Sequence, residues 1–240
     1  MSKTIVVVGA SRGIGLGVMK YLSEYADCHT FVGVVRKSED ASNLSRMFAD
    51  NKKVYIYQGD VVDQASMHNV AARMSDSNIV PDIVLCNAGV LTEPVSLEKV
   101  SDEDMSFSFQ VNVLGPLHVM KAFSPSMRTR PGAVIVNVSS GWGLRGDVGQ
   151  STYCATKHAL EGLMKCAAME AENDPVSIVT VRPGMVVTDM LAKAVGSATL
   201  AAEQGVKVAD FVPQFCHRLF RINKSHSGTH LDCGVGRALF

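Results

Sequence analysis

Thr4-Ile5-Val6-Val7-Val8-Gly9-Ala10-Ser11-Arg12-Gly13-Ile14-Gly15 joins an unbroken β-branched run to a glycine-rich turn, and the turn opens a segment of helical period. A strand with no polar face needs cover on both sides, which is the situation inside a parallel sheet. Similar runs recur at Ile5–Val8, Phe31–Val35, Val54–Tyr57, Ile83–Leu85, Ala133–Val138 and Ile178–Val181. Between and after them lie segments of helical period at about Gly13–Tyr25, Asp40–Asp50, Gln64–Ser75, Asp102–Arg128, Ser151–Asn173 and Glu203–Phe220. The β-α-β order predicts an α/β chain with a doubly wound parallel sheet of about seven strands and helices on both faces. No repeat or Pro/Gly/Ser-rich linker divides it, so residues 1–240 read as one domain. Gly115-Pro116 is expected to break or bend the Asp102–Arg128 helix, because proline lacks the helical donor.

Composition narrows the function. The 240 residues are 47% apolar, enough for one buried core, and Lys plus Arg equals Asp plus Glu at 23 each. A balanced charge gives no field that would draw nucleic acid or an anionic membrane, and no apolar stretch reaches spanning length, so neither is expected as a partner. The first strand starts at Thr4, from which no signal or transit peptide is expected. Cys28, Cys86, Cys154, Cys166, Cys216 and Cys233 show no ligand spacing and read as reduced thiols of a cytoplasmic protein. No metal site is expected.

The glycine turn sits between a strand and a helix, the context of a dinucleotide site, although its spacing is G-x-x-x-G-x-G and not G-x-G-x-x-G. Gly9, Ser11, Arg12, Gly13, Ile14 and Gly15 would bring backbone close to a pyrophosphate, with the amides of the helix start meeting its charge. An NAD site carries an acid at the end of the second strand, whereas this chain reads Val35-Arg36-Lys37. With Arg12, these cations suit the 2′-phosphate of NADP(H). Farther on, Tyr153 and Lys157 are four residues apart, on one face of a helix. An ammonium about 4 Å from a phenol favours the phenolate by up to about 4 kcal/mol at an effective dielectric of about 20, so a lowered tyrosine pKa is expected.

Together with Asn87-Ala88-Gly89, Asn112, Ser140, Pro183-Gly184 and Thr188, these motifs resemble the short-chain dehydrogenase/reductases in their compact single-domain, Rossmann-type form. The match spans most of the chain. The resemblance implies that Tyr153 exchanges a proton with a carbonyl oxygen as hydride is transferred. It also implies that Lys157 lowers the tyrosine pKa and holds the nicotinamide ribose, that Ser140 orients the carbonyl, and that Asn112 holds a water in a proton relay. Ser140 is preferred to Ser139 because it stands thirteen residues before Tyr153, the family's usual separation. For the cofactor, the resemblance implies that Asn87, Ala88 and Gly89 approach the adenosine ribose and that Asp60 and Val61 meet the adenine. Pro183, Gly184, Val186 and Thr188 would contact the nicotinamide carboxamide. Two departures are Val8 where a threonine is usual and Cys86 where the first of two asparagines is usual. The missing threonine hydroxyl is expected to loosen the link from the first turn to the Asn87 loop.

Trp142, Leu144, Met185, Met190 and Leu191, with Ser140, are expected to line a substrate pocket suited to an uncharged aldehyde, ketone or quinone. The segment at about 184–200, bracketed by Gly184 and Gly196, is expected to act as a substrate loop over it. Ala159, Leu163, Cys166, Ala167 and Glu170 form a face that could pair copies into a homodimer or homotetramer or lie on the sheet. His158 is read as a surface or core histidine. The implied activity is NADP(H)-dependent interconversion of carbonyl compounds and alcohols. A redox-inert NADP(H)-binding sensor or scaffold remains the alternative.

Overall fold

The computed structural model describes residues 2–25 and 29–233, so Cys28 lies outside the described residues. The strands are β1 (Thr4–Val8), β2 (Thr30–Val35), β3 (Val54–Gln58), β4 (Ile83–Cys86), β5 (Val134–Val138), β6 (Ser177–Arg182), β7 (Val186–Val187), β8 (Val206–Lys207) and β9 (His230–Asp232). The α-helices are α1 (Gly13–Tyr25), α2 (Ser38–Met47), α3 (Gln64–Asp76), α4 (Asp102–Phe109), α5 (Gly115–Met127), α6 (Ser151–Glu170), α7 (Asp189–Val195), α8 (Ala198–Gln204) and α9 (Val208–Leu219). The main sheet has seven strands in the order β3-β2-β1-β4-β5-β6-β9, every neighbour parallel. Chain direction across it reverses between β1 and β4, and that switch point is where open α/β sheets leave a crevice for ligands.

Alternate strand residues enter two cores. Val6, Val8, Val84 and Ile135 pack with Met67 and Val70 of α3, Phe123 of α5, and Leu160 and Met164 of α6. Ile5, Val7, Leu85 and Val136 pack on the other face with Val18 and Met19 of α1, Leu44 of α2, and Phe211 and Phe215 of α9. Each such fully buried side chain contributes roughly 1.5–3 kcal/mol relative to exposure. Polar caps fix several helix starts: Asp63 accepts from the Ala65 amide, Ser101 from Asp104 and Thr188 from Leu191. Asp60 lies in the turn before the α3 cap. Its carboxylate accepts from the Val62 amide there.

Two expected helices differ from the structure. The Asp102–Arg128 segment is continuous but changes register, with a π turn over Gln110–Leu114 between α4 and α5 and the Gly115 amide donating to the Gln110 carbonyl. Pro116 lies in the first turn of α5, where a missing donor is tolerated, so the departure from regularity precedes it. The expected Glu203–Phe220 helix is split. Gly205 ends α8, β8 then pairs in parallel with β7, and α9 begins at Val208. A Cβ on Gly205 would come 2.7 Å from Leu191 Cδ2 and 2.8 Å from the Ala201 carbonyl oxygen, so the chain there admits no side chain.

Candidate active site

The site begins where β1 ends. Gly9, at φ +88°, lets its amide reach the Val34 carbonyl at 2.9 Å. A side chain there would be strained, and its Cβ would lie 2.7 Å from the Ala88 amide nitrogen. Gly15 is closed by space, because its Cβ would fall 2.1 Å from the Gly9 carbonyl oxygen. Gly13 lies against Thr188, whose Cγ2 would be 3.3 Å from an added Cβ, so the first turn and the segment after β6 meet here. The Asn87 side-chain amide donates to the Gly9 carbonyl at 2.9 Å, and its backbone amide to Val8 at 3.0 Å. The link expected to suffer from the absent threonine hydroxyl is thus made by Asn87 itself. Ser11, Arg12 and Ile14 occupy the same turn.

Arg12, Arg36 and Lys37 are exposed and make no ion pair with a carboxylate among the described residues. Arg36 and Lys37 follow β2, beside the glycine turn that follows β1. Asp60 and buried Val61 follow β3, with His118 Nδ1 2.8 Å from the Val61 carbonyl.

Asn112, completely buried in the π turn, clamps the loop after β4. Its Oδ1 accepts from the Val90 amide at 2.8 Å, and its Nδ2 donates to the Val90 carbonyl at 2.9 Å and to Thr156 Oγ1 at 3.1 Å. Thr156 in turn donates to the Tyr153 carbonyl at 2.8 Å. The same residue thus ties the Asn87-Ala88-Gly89 loop to the helix carrying Tyr153 and Lys157.

Tyr153 and Lys157 are buried, at 8% and 4% exposure. The lysine Nζ lies 5.4 Å from the tyrosine ring centroid and donates to the Val138 carbonyl at 2.9 Å. Trp142 packs its ring edge-on to Tyr153 at 5.8 Å, and the phenol donates to Met190 Sδ at 3.9 Å. The tyrosine pKa is not lowered as its spacing with Lys157 had led us to expect. Burial drives it well above its ordinary value, and the Ser140 hydroxyl bond only partly opposes this. Burial also pulls the Lys157 pKa down to about 8, against an opposing pull from Glu161. The spacing put the groups on one face, but the ammonium sits against the ring and burial sets the direction of the tyrosine shift.

Ser140 and Ser139 end in different places. Ser140 bonds toward Tyr153 and its Oγ accepts from the Trp142 amide at 3.2 Å, whereas buried Ser139 Oγ has no partner among the described residues. Buried Pro183, Gly184 at φ +76° and buried Val186 lead to Thr188. Of the expected pocket residues, Trp142 and Met190 touch Tyr153, while Met185 pairs its carbonyl with the Val206 amide. Leu144 is 60% exposed on the rim, because Gly143 rather than Leu144 is the residue packed against α6. Leu191 packs on Gly205. Residues 184–200 are held down by Lys193 to Glu93 at 2.8 Å and by Gln150 Nε2 to the Ala194 carbonyl at 3.2 Å. Those anchors were missed, since Glu93 and Gln150 carry no motif.

His158 is exposed on α6. The five described cysteines are free, and burial pushes the Cys86 and Cys216 thiols up to about 12. No described helix is long and apolar enough to cross a membrane.

A phenol, a hydroxyl and an amine therefore converge at the carboxyl edge of a parallel sheet beside a glycine cradle, an arrangement able to position a polar group and pass it a proton. Known proteins share this framework. The chain is 30% identical over 197 residues to an NADPH-dependent pterin aldehyde reductase of Arabidopsis thaliana, covering 82% of this chain and 80% of that one. It is similar in structure to the NADPH-bound carbonyl reductase from chicken fatty liver, at a TM-score of 0.85 and 25% identity over 97% of this chain and 96% of that one. ElxO with NADP bound shares the fold at a TM-score of 0.85, with 24% identity over 98% of each chain. The profile described as short chain dehydrogenase matches residues 3–198, from the first strand through the glycine turn, Tyr153 and Lys157 into α8. By sequence and by fold, the chain belongs to the short-chain dehydrogenase family.

Proposed function

We propose that this chain is an NADP(H)-dependent oxidoreductase that interconverts uncharged carbonyl compounds, namely aldehydes, ketones or quinones, and their alcohols. The convergence of Ser140 and Lys157 on buried Tyr153, at the mouth of the glycine turn, carries this reading. The cofactor fits that turn because Gly9 and Gly15 let the backbone of the turn close against Ala88 and Asn87 with no side chain between, and because Arg12, Arg36 and Lys37 leave cationic groups free for a 2′-phosphate. The names of the Arabidopsis and chicken proteins, both with NADPH, support reduction as the working direction.

When bound, the reduced nicotinamide supplies the hydride. Tyr153 is protonated at neutral pH because burial raises its pKa, and it gives its proton to the carbonyl oxygen. The Ser140 hydroxyl bonds the same oxygen and fixes its position. Lys157, charged below about pH 8, favours the phenolate left behind and holds the ribose hydroxyls. Asn112 spends its side chain on Val90 and Thr156, so we assign the relay water to its main-chain carbonyl, to which Pro116 has no N–H to offer. Asn87, Ala88 and Gly89 approach the adenosine ribose, Asp60 and Val61 the adenine, and Pro183, Gly184, Val186 and Thr188 the carboxamide. Trp142 and Met190 bound the substrate, and residues 184–200 are its loop, within a single domain over 1–240.

We place the protein in the cytoplasm, as a homodimer or homotetramer. The face of Ala159, Leu163, Cys166, Ala167 and Glu170 does not lie flat on the sheet, since Cys166 and Glu170 are exposed. That leaves it open to a second copy.

The reading is tested by mixing purified protein with NADPH and a panel of aldehydes, ketones and quinones and following nicotinamide absorbance. Tyr153-dependent oxidation of NADPH is expected. Tight NADPH binding without turnover across the panel would favour the sensor or scaffold. Arg36→Asp is expected to lower the NADPH/NADH ratio of kcat/KM by about tenfold or more, the worth of a charge-assisted bond, and an unchanged ratio would remove Arg36 from the phosphate site. Ser140→Ala should lower kcat by about 10²–10³ with NADPH affinity kept, whereas Ser139→Ala should be mild. Kinetics of the two variants in the opposite rank would overturn the choice of Ser140.

A further inference from the structure

Beneath Lys157 lies a buried charge cluster that the reaction as described does not use. Glu161, one turn farther along α6, is 4% exposed, and Arg182 at the end of β6 is 9% exposed. Arg182 forks onto it, Nε donating to Oε1 at 3.0 Å and Nη2 to Oε2 at 3.2 Å. His230 Nδ1 from β9 lies 2.6 Å from Oε2, and Asp232 Oδ1 lies 3.6 Å from Arg182 Nη1. The turn after Ser140 rests on the same place. A Cβ on Gly143 would meet Glu161 Cγ at 3.0 Å, Ser139 Oγ at 3.0 Å and the Lys157 carbonyl at 3.2 Å.

We infer that Glu161 is a positioning residue for the reaction, one buried carboxylate that joins the Lys157 turn of α6, the turn following Ser140 and the strand end that delivers Pro183-Gly184. The inference rests on the reading of Lys157 and Ser140 given above. Three segments that carry functional groups come from distant parts of the chain, and a fixed hydrogen-bond fork constrains their relative placement more tightly than apolar contact does. Stability alone does not account for such a cluster, because a buried ion pair replaced by apolar side chains of similar size often costs nothing. Glu161 also has an electrostatic part. The charged or titratable groups facing it and Lys157 are Arg182 from β6, His230 and Asp232 from β9, and Tyr153 from α6. Without the Glu161 charge, two buried cations, Lys157 and Arg182, lose their buried counter-charge. The opposing pull of Glu161 on the lysine agrees with this.

The test is Glu161→Gln, which keeps the shape and removes the charge. In cofactor-free protein carrying 13C-labelled lysine, the Lys157 resonance, assigned by its loss in Lys157→Met, is titrated by NMR. Its midpoint should move to lower pH by about half a unit or more, a threefold change in the proton equilibrium. With NADPH and a carbonyl substrate, kcat should fall by about tenfold or more with a smaller change in KM, and the alkaline limb should move with the midpoint. The double variant Glu161→Gln/Arg182→Met removes both buried charges and guards against a single variant that does not fold. It should fold and keep the low kcat, because the fork is gone, while its midpoint moves back toward wild type, since the cation left unpaired in Glu161→Gln is gone too. A wild-type midpoint and kcat in folded Glu161→Gln, or wild-type kcat in the folded double variant, would overturn the inference. Lys157→Met retaining wild-type turnover would instead overturn the reading of the site on which it rests.

Discussion

Tyr153→Phe is expected to lower kcat by about 10³, within the range for removal of a general acid, while leaving the fold and NADPH affinity close to wild type. The substitution takes away one oxygen and nothing else. The ring keeps its edge-on contact with Trp142 at 5.8 Å and its place against Lys157 Nζ at 5.4 Å. The hydroxyl's partners are the Ser140 hydroxyl and the weakly accepting Met190 sulfur at 3.9 Å, so little stability depends on it. Its chemistry does depend on it. Burial holds the phenol protonated through the neutral range, the form that donates. Nicotinamide absorbance gives kcat and thermal melting gives stability for the two proteins. A variant with more than a tenth of wild-type kcat would remove Tyr153 from the role of acid.

Gly15→Ala is expected to weaken NADPH binding by at least about a hundredfold and to cost stability on the scale of an overpacked core, about 1–3 kcal/mol. The reason is space. The new Cβ would lie 2.1 Å from the Gly9 carbonyl oxygen and 2.7 Å from Asn87 Nδ2. The first of these is a backbone atom, so no rotamer change relieves it, and the second holds the Asn87–Gly9 bond that joins β1 to the loop after β4. Gly162→Ala supplies the control. Nothing lies within 4 Å of its added Cβ, it is exposed on α6, and alanine should stabilise the helix there by about 0.5–1 kcal/mol. Fluorescence titration with NADPH and melting curves separate the cases, and wild-type affinity in Gly15→Ala would contradict the cradle.

Much of this was legible in the residues for a definite reason. A parallel strand covered on both faces is near-continuously apolar, so β1, β2 and β4 announce themselves, and the glycine turn follows from the close approach of β1 to Ala88 and Asn87. His230–Asp232 carries no such mark, because it is a three-residue, partly exposed edge strand whose place is set by pairing with β6. β7 and β8, two residues each, are likewise products of the chain's return past Gly205. Spacing put Tyr153 and Lys157 on one face but said nothing of their depth, and depth decides the sign of the tyrosine shift. Glu161 stands four residues after Lys157 on that face, but its spacing carries no motif and it was not singled out. Its partners Arg182 and His230 reach it only through the sheet.

Hydride transfer leaves its own mark on the product, and deuterium reports it. The protein is incubated with NADPH deuterated on the transferable C4 position and with the carbonyl compounds of the panel, and the alcohols formed are examined by mass spectrometry and NMR. One deuterium is expected on the carbinol carbon of each alcohol formed from an aldehyde or ketone, delivered to one face of the carbonyl, and none with Tyr153→Phe. NADPH that binds tightly yet gives no labelled alcohol from any aldehyde or ketone and no hydroquinone from any quinone would contradict it.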